Sequence, residues 1–94
     1  MIDKIYIGVR NELKAARDRK TGFRSFDTYL GGYAVIQEEM DELWDEVTKK
    51  DQNREAMLKE AIQAAAMIFR FIEDCKLIDG SMEDHRYFQG KVIK

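Results

Sequence analysis

The residues best equipped for chemistry in this chain are acids crowded into one short stretch. Between positions 38 and 46 stand Glu38, Glu39, Asp41, Glu42, Asp45 and Glu46, with no base among them. The chain carries 16 Lys and Arg against 18 Asp and Glu, a net charge of −2, so everything outside the stretch sums to +4 against these six negative charges. A helix face that only meets water tends to place a lysine four residues from an acid and so relieve the repulsion. Here the first lysine after the run is Lys49. Carboxylates held close together raise one another's pKa, and partial burial adds to the cost, so protons or a cation must compensate.

Helical geometry sharpens that expectation. At about 100° per residue, Glu39 and Glu42 fall on the flank of an apolar stripe made by Ile36, Met40, Leu43 and Val47. An offset of 21 residues reproduces the layout: Ile36 maps to Met57, Glu39 to Glu60, Met40 to Ala61, Glu42 to Gln63, Leu43 to Ala64 and Val47 to Ile68. Two such helices packed antiparallel through their stripes would gather Glu39, Glu42, Glu60 and Gln63 around a common point. Hard oxygen ligands without histidine or thiolate favour Mg²⁺, with Mn²⁺ as a substitute, over zinc. The competing reading is an acid-rich face in water, with the 21-residue echo a coincidence between two helices of similar stripe.

The elements that must carry these residues are helices. Proline is absent, so nothing need kink or stop a helix, and three long stretches show apolar residues at helical spacing. The fold class is all-α, in a single domain over residues 1–94. The steps Ile2, Ile5, Val9, Leu13 and Ala16 predict helix 1 over 2–18. Helix 2 begins after Asp27 or Thr28, either of which can cap it, and runs to about Lys49. Gly31 and Gly32 lie within its pattern at about 1 kcal/mol each relative to alanine, which sets the first turn or two apart from the main helix. Asn53 caps helix 3, whose apolar face is Met57, Ala61, Ala64, Ile68 and Ile72. The short connection makes helices 2 and 3 antiparallel neighbours, and Ala64, Ala65 and Ala66 let their backbones approach. Residues 76–94 form a short fourth helix or an arm beyond the turn at Asp79, Gly80 and Ser81.

Composition removes other classes. At 45% hydrophobic and 36% charged, the chain has the balance of a folded protein and not of a disordered tail. Its slight negative charge has the wrong sign for a nucleic-acid binder. The longest apolar run, residues 64–69, is too short for a membrane span. Cys75 and His85 are single residues of their kind, which excludes an internal disulfide and multi-cysteine zinc sites. Neither shows a partner pattern. A cytoplasmic location is the expectation.

The run Gly32-Tyr33-Ala34-Val35-Ile36-Gln37-Glu38-Glu39-Met40-Asp41-Glu42-Leu43-Trp44-Asp45-Glu46-Val47, followed by Lys59-Glu60-Ala61-Ile62-Gln63-Ala64-Ala65-Ala66-Met67, resembles the MazG-like all-α nucleoside triphosphate pyrophosphatases. The family signature is EExxE, a spacer, then ExxD. Here it reads Glu38-Glu39-x-x-Glu42 and Glu60-x-x-Gln63, departing at its last position. The resemblance covers residues 29–75. It implies a helical bundle and a Mg²⁺-dependent hydrolase that splits a nucleoside triphosphate between its α- and β-phosphates, giving the monophosphate and pyrophosphate. It also implies that Glu39, Glu42, Glu60 and the position of Gln63 hold metal, and that the chain assembles as a homodimer or homotetramer whose sites can borrow residues from a neighbour. Glu38 is the candidate proton acceptor or an orienting partner of a ligand, against its equal standing as a surface acid. Gln63 brings no charge, which leaves fewer bound ions, a substitute ligand from Asp41, Asp45 or Glu46, or a fold that has lost catalysis. The last of these defines the alternative: a helical oligomerisation or regulatory module.

Remaining candidates are weaker. Lys59 is the best-placed base for a substrate phosphate. Phe23 and Phe26, in the loop before helix 2, are candidates to stack on a substrate base, with core contact their more ordinary use. Trp44 projects from the far edge of the helix 2 stripe, suited to core or subunit contact. A chain this short has little surface to bury, so its remaining apolar positions call for a second subunit.

Overall fold

A computed structural model describes residues 1–18, 26–82 and 85–88 of the chain. Among them are three α-helices and no strand: α1, Ile2–Asp18; α2, Tyr29–Val47; and α3, Arg54–Asp74. The helix ends follow local chemistry. The Thr28 hydroxyl accepts the Gly31 N–H at 2.9 Å to start α2, and the Asn53 side chain accepts the Ala56 N–H at 3.1 Å to start α3. At the end of α2 the Thr48 hydroxyl donates to the Trp44 carbonyl, and the Gln52 amide donates to that of Val47. The α3 end closes on Lys76, in the left-handed region at φ 54, with the Lys76 N–H donating to Glu73 and the Leu77 N–H to Ile72. This is the Schellman pattern, in which glycine is the favoured residue at the left-handed position.

Helix α3 is the central element. On one flank it meets α2 antiparallel, since Gly32 lies against Phe71 near one end of the pair and the acids of both helices meet towards the other. On another it meets α1 parallel, with Gly8 against Ile62 and Arg17 against Asp74. The alanine run serves both contacts: Ala64 and Ala66 are buried, Ala66 fully, in or beside the cluster of Val9, Ala16 and Met67. Gly31 and Gly32 do not separate the first turns of α2, which is continuous through them. A Cβ at Gly32 would stand 2.6 Å from Phe71 Cδ1 and 3.0 Å from Phe26 Cδ2, so the missing side chain is what lets α3 and the incoming loop close over α2.

The apolar stripes are only half covered. Ile36 and Leu43 are partly buried, but Met40, Val47 and Ile68 are exposed, and the face of α2 that packs on α3 includes Glu39 and Glu46. Gly32 marks one close approach of the pair, where α2 meets the Phe71 ring of α3. Beyond α3, the described residues form two 3₁₀ turns, Gly80–Met82 and Arg86–Phe88, rather than a fourth α-helix. No helix among the described residues is long and apolar enough to cross a membrane.

Candidate metal centre

Glu39 and Glu42 of α2 and Glu60 of α3 converge, each offering a carboxylate oxygen within 4.8 Å of the others. Glu39 and Glu60 are partly buried, and Glu42 is exposed at the rim. One oxygen of Glu39 and one of Glu60, Oε2 in each case, is enclosed with no hydrogen-bond partner. A buried acceptor without a donor is costly. The electrostatics follow from this crowding. Burial first, then the charges of Glu42 and Glu60, contact with the Glu42 carboxylate and the charge of Glu12 push Glu39 up to about 7. Glu60 is raised by burial and by its contact with and charge from Glu42, against a lowering influence from Lys59.

An enclosed oxygen with no donor, in a set of hard oxygen ligands carrying surplus negative charge, fits a divalent cation such as Mg²⁺ or Mn²⁺. It also fits a shared proton, since an acid of pKa about 7 is half protonated at neutral pH. The arrangement can therefore exchange a proton for a metal ion. Searches against protein-family models, curated proteins and solved structures find no match.

The other expected site residues divide. Gln63 is partly buried, three positions beyond Glu60 along α3. Glu38 is exposed, one position round the helix from Glu39, and stands outside the converging group. Lys59 is exposed beside Glu60 and acts on it through its charge. Phe23 lies outside the described residues. Phe26 is taken up by packing: its ring lies 6.5 Å from that of Phe71, centroid to centroid, and the Arg70 guanidinium covers it at 4.2 Å. Its backbone N–H donates to Asp74 at 3.4 Å. It sits against Gly32, seven residues or about 10 Å along α2 from Glu39, so it joins the fold rather than the carboxylates.

Three further residues complete the surroundings: Glu46, which the sequence offers as one of three substitute ligands, and Glu12 and Asp74, which escaped the sequence reading. Glu46 is partly buried, with its Oε1 paired to Lys49 at 2.7 Å and its Oε2 enclosed without a partner, and its charge reaches Glu60. Asp41 and Asp45 are exposed, Asp41 taking a hydrogen bond from Gln37 at 3.0 Å. Of the three possible substitutes for the charge absent at Gln63, Glu46 is therefore the one turned towards the site. Glu12 of α1 adds its charge to Glu39. A signal for it existed: Val9-x-x-Glu12, Ile36-x-x-Glu39 and Met57-x-x-Glu60 repeat one apolar-to-acid spacing in all three helices. The third is Asp74, whose side chain is only 5% exposed and which binds Arg17 at 3.0 Å and Arg70 at 3.2 Å. Burial works to raise its pKa, but the hydrogen bonds from both arginines, the Arg17 charge and the Phe26 N–H outweigh it and hold the carboxyl below the usual range. Arg17 also pairs with Glu73. Asp74 thus fastens the ends of α1 and α3 and the entry to α2, and fixes the frame in which the carboxylates meet.

Proposed function

We propose that the chain is a divalent-metal-dependent nucleoside triphosphate pyrophosphohydrolase, cleaving the α–β phosphoanhydride to release a nucleoside monophosphate and pyrophosphate in the sanitation or adjustment of nucleotide pools. The observation that carries this reading is the convergence of Glu39, Glu42 and Glu60 with enclosed oxygens that lack donors. The spacing of those glutamates within EExxE and Exx motifs supports it.

Glu39, Glu42 and Glu60 would hold Mg²⁺ or Mn²⁺, with the Gln63 amide oxygen as a neutral neighbour. A cation bound there supplies charge neutralisation for the polyphosphate and polarises the attacking water. The chain's own residues do the rest. Partial burial of Glu39 and Glu60 lowers the local dielectric and strengthens the charge interactions among the carboxylates. Glu38 would accept the water's proton, and Lys59, next to Glu60 in the chain, would meet a phosphate oxygen.

The test is a pyrophosphate-release assay over standard and modified nucleoside triphosphates with Mg²⁺, using Glu39→Ala as control. Release by the native chain and none by the variant supports the reading; no release from any substrate with either ion rejects it. One observation favours a second reading, a regulatory helical module that retains this fold: the neutral Gln63 where the motif carries an acid. A melting temperature raised by Mn²⁺ without hydrolysis would select it.

A further inference from the structure

A cavity lies away from the carboxylates, where α1 and the last turns of α3 meet the stretch that follows α3. It has a volume of about 480 Å³ and is lined by Leu13, Phe69, Ile72, Glu73, Lys76 and Ile78. Small-molecule sites ordinarily span about 300–1,000 Å³. Ile72 stands twelve positions beyond Glu60 on α3, about 18 Å along the axis, so the cavity is no part of the carboxylate group. Four of its walls are hydrocarbon: Leu13 and Ile72 are partly buried, while Phe69 and Ile78 are 46% and 51% exposed. The end of α3 shapes it. Lys76 takes the left-handed conformation at φ 54, and the Leu77 N–H donates back to the Ile72 carbonyl, which folds the chain over the last turn and brings Ile78 to the same cavity as Ile72.

We infer that this cavity takes the hydrocarbon body of an aliphatic carboxylate of medium chain length, whose head group pairs with the Lys76 ammonium. Charge selects the head group. Of the two charged residues on the lining, Glu73 is held by Arg17, which also binds Asp74, and Asp74 in turn holds Arg70. Three bases, Arg17, Arg70 and Lys76, against the acids Glu73 and Asp74 leave one positive charge. It rests on Lys76, for which there is no ion pair among the described residues. Lys14 and Asp79, next in sequence to Leu13 and Ile78, have opposite signs and are not on the lining. The walls select the tail. Apolar surface offers water no hydrogen bonds, so an aliphatic chain displaces it at a gain. The cavity shares no residue with the carboxylate group, and the hydrolase reading neither supports nor weakens its assignment.

Calorimetric titration of the full chain with octanoate should show one saturable site, and acetate, which has the head group without the tail, should show none. The neutral 1-octanol should bind about three- to fivefold more weakly than octanoate, the scale of an exposed ion pair. Lys76→Gly separates the head group from the fold. Glycine is favoured at the left-handed position, so this variant should melt above the native chain, bind octanoate about three- to fivefold more weakly and bind 1-octanol unchanged. Lys76→Arg should keep the native preference for octanoate. Ile78→Trp, at an exposed position, should fill the cavity and abolish binding of both ligands while its helical circular dichroism stays native. The inference would be overturned by the absence of saturable octanoate binding, by octanoate affinity unchanged in Lys76→Gly, or by binding that survives Ile78→Trp. Equal affinity for octanoate and 1-octanol would overturn it too, by assigning the cavity to a neutral occupant.

Discussion

Glu39 and Glu60 stand on antiparallel helices with carboxylate oxygens within 4.8 Å of one another, and each keeps one oxygen enclosed without a donor. Two like charges so placed make a standing cost to the folded state that only a proton or a cation removes. That relationship sets the pH behaviour of the protein.

Metal-free stability should pass through a maximum in weak acid. Asp74 is held below its ordinary 3.8 by Arg17 and Arg70 against its burial, so its contribution is present above about pH 4 and lost as pH falls through its lowered folded value. Glu39 has the opposite sign. Its pKa rises from 4.5 to about 7, so the folded state binds the proton more tightly than the unfolded chain and stability falls as pH rises from about 4.5 to 7. Discounted for solvent screening, the loss is about 1 kcal/mol, or about 4–8 °C in melting temperature. Thermal melts in chelator across this range check the maximum. Saturating Mn²⁺ should flatten the fall on the alkaline side.

Glu39→Gln separates stability from binding. Removing one of three crowded carboxylates relieves repulsion, so the metal-free variant should melt several degrees above the native chain at about pH 8. The same change should abolish the rise in melting temperature that Mn²⁺ gives the native chain. A variant that is less stable in chelator would show that Glu39 is held by favourable contacts instead.

The charge absent at Gln63 makes a graded prediction. Gln63→Asp should tighten Mn²⁺ binding about tenfold, the scale of one added carboxylate in a partly shielded site. Glu46→Gln should weaken it about tenfold by removing the nearest substitute charge, while Asp41→Asn, on an exposed position, should change it little. Calorimetric titration of the three variants with Mn²⁺ orders them. An equal effect of Glu46 and Asp41 would remove Glu46 from the site.

Much of this was legible in the residues because it depends on local periodicity. The bounds of α1 and the caps Thr28 and Asn53 follow from hydroxyl and amide chemistry at helix starts, and the 21-residue echo placed Glu39, Glu42 and Glu60 together. What escaped depends on how helices rotate about their axes once packed. The stripe through Met40 and Val47 reads as core, yet in the packed pair both are exposed and Glu46 is partly buried. The anchor at Asp74 joins residues 48 and 57 positions apart in sequence, a pairing that no window on one helix contains. For Phe26 the sequence puts core contact ahead of ligand stacking, and core contact is what Phe71 and Arg70 from α3 give it.

Gly32 offers the sharpest test of the packing that positions the carboxylates. In an exposed helix interior, alanine in place of glycine gains about 1 kcal/mol. At Gly32 the new methyl would come within 2.6 Å of Phe71 Cδ1 and 3.0 Å of Phe26 Cδ2, and the Phe26 ring is itself pinned beneath Arg70. Overpacking of this kind costs about 1–3 kcal/mol, and a clash against two rings that support each other belongs near the upper end. The net expectation for Gly32→Ala is a loss of about 1–2 kcal/mol, or roughly 5–15 °C in melting temperature. Phe71→Leu should recover part of that loss in the double variant, because it replaces the rigid ring with a smaller side chain that can turn away from the methyl. A stabilised Gly32→Ala chain would show that α2 and α3 lie farther apart, and the convergence of Glu39 with Glu60 would then have to be given up as well.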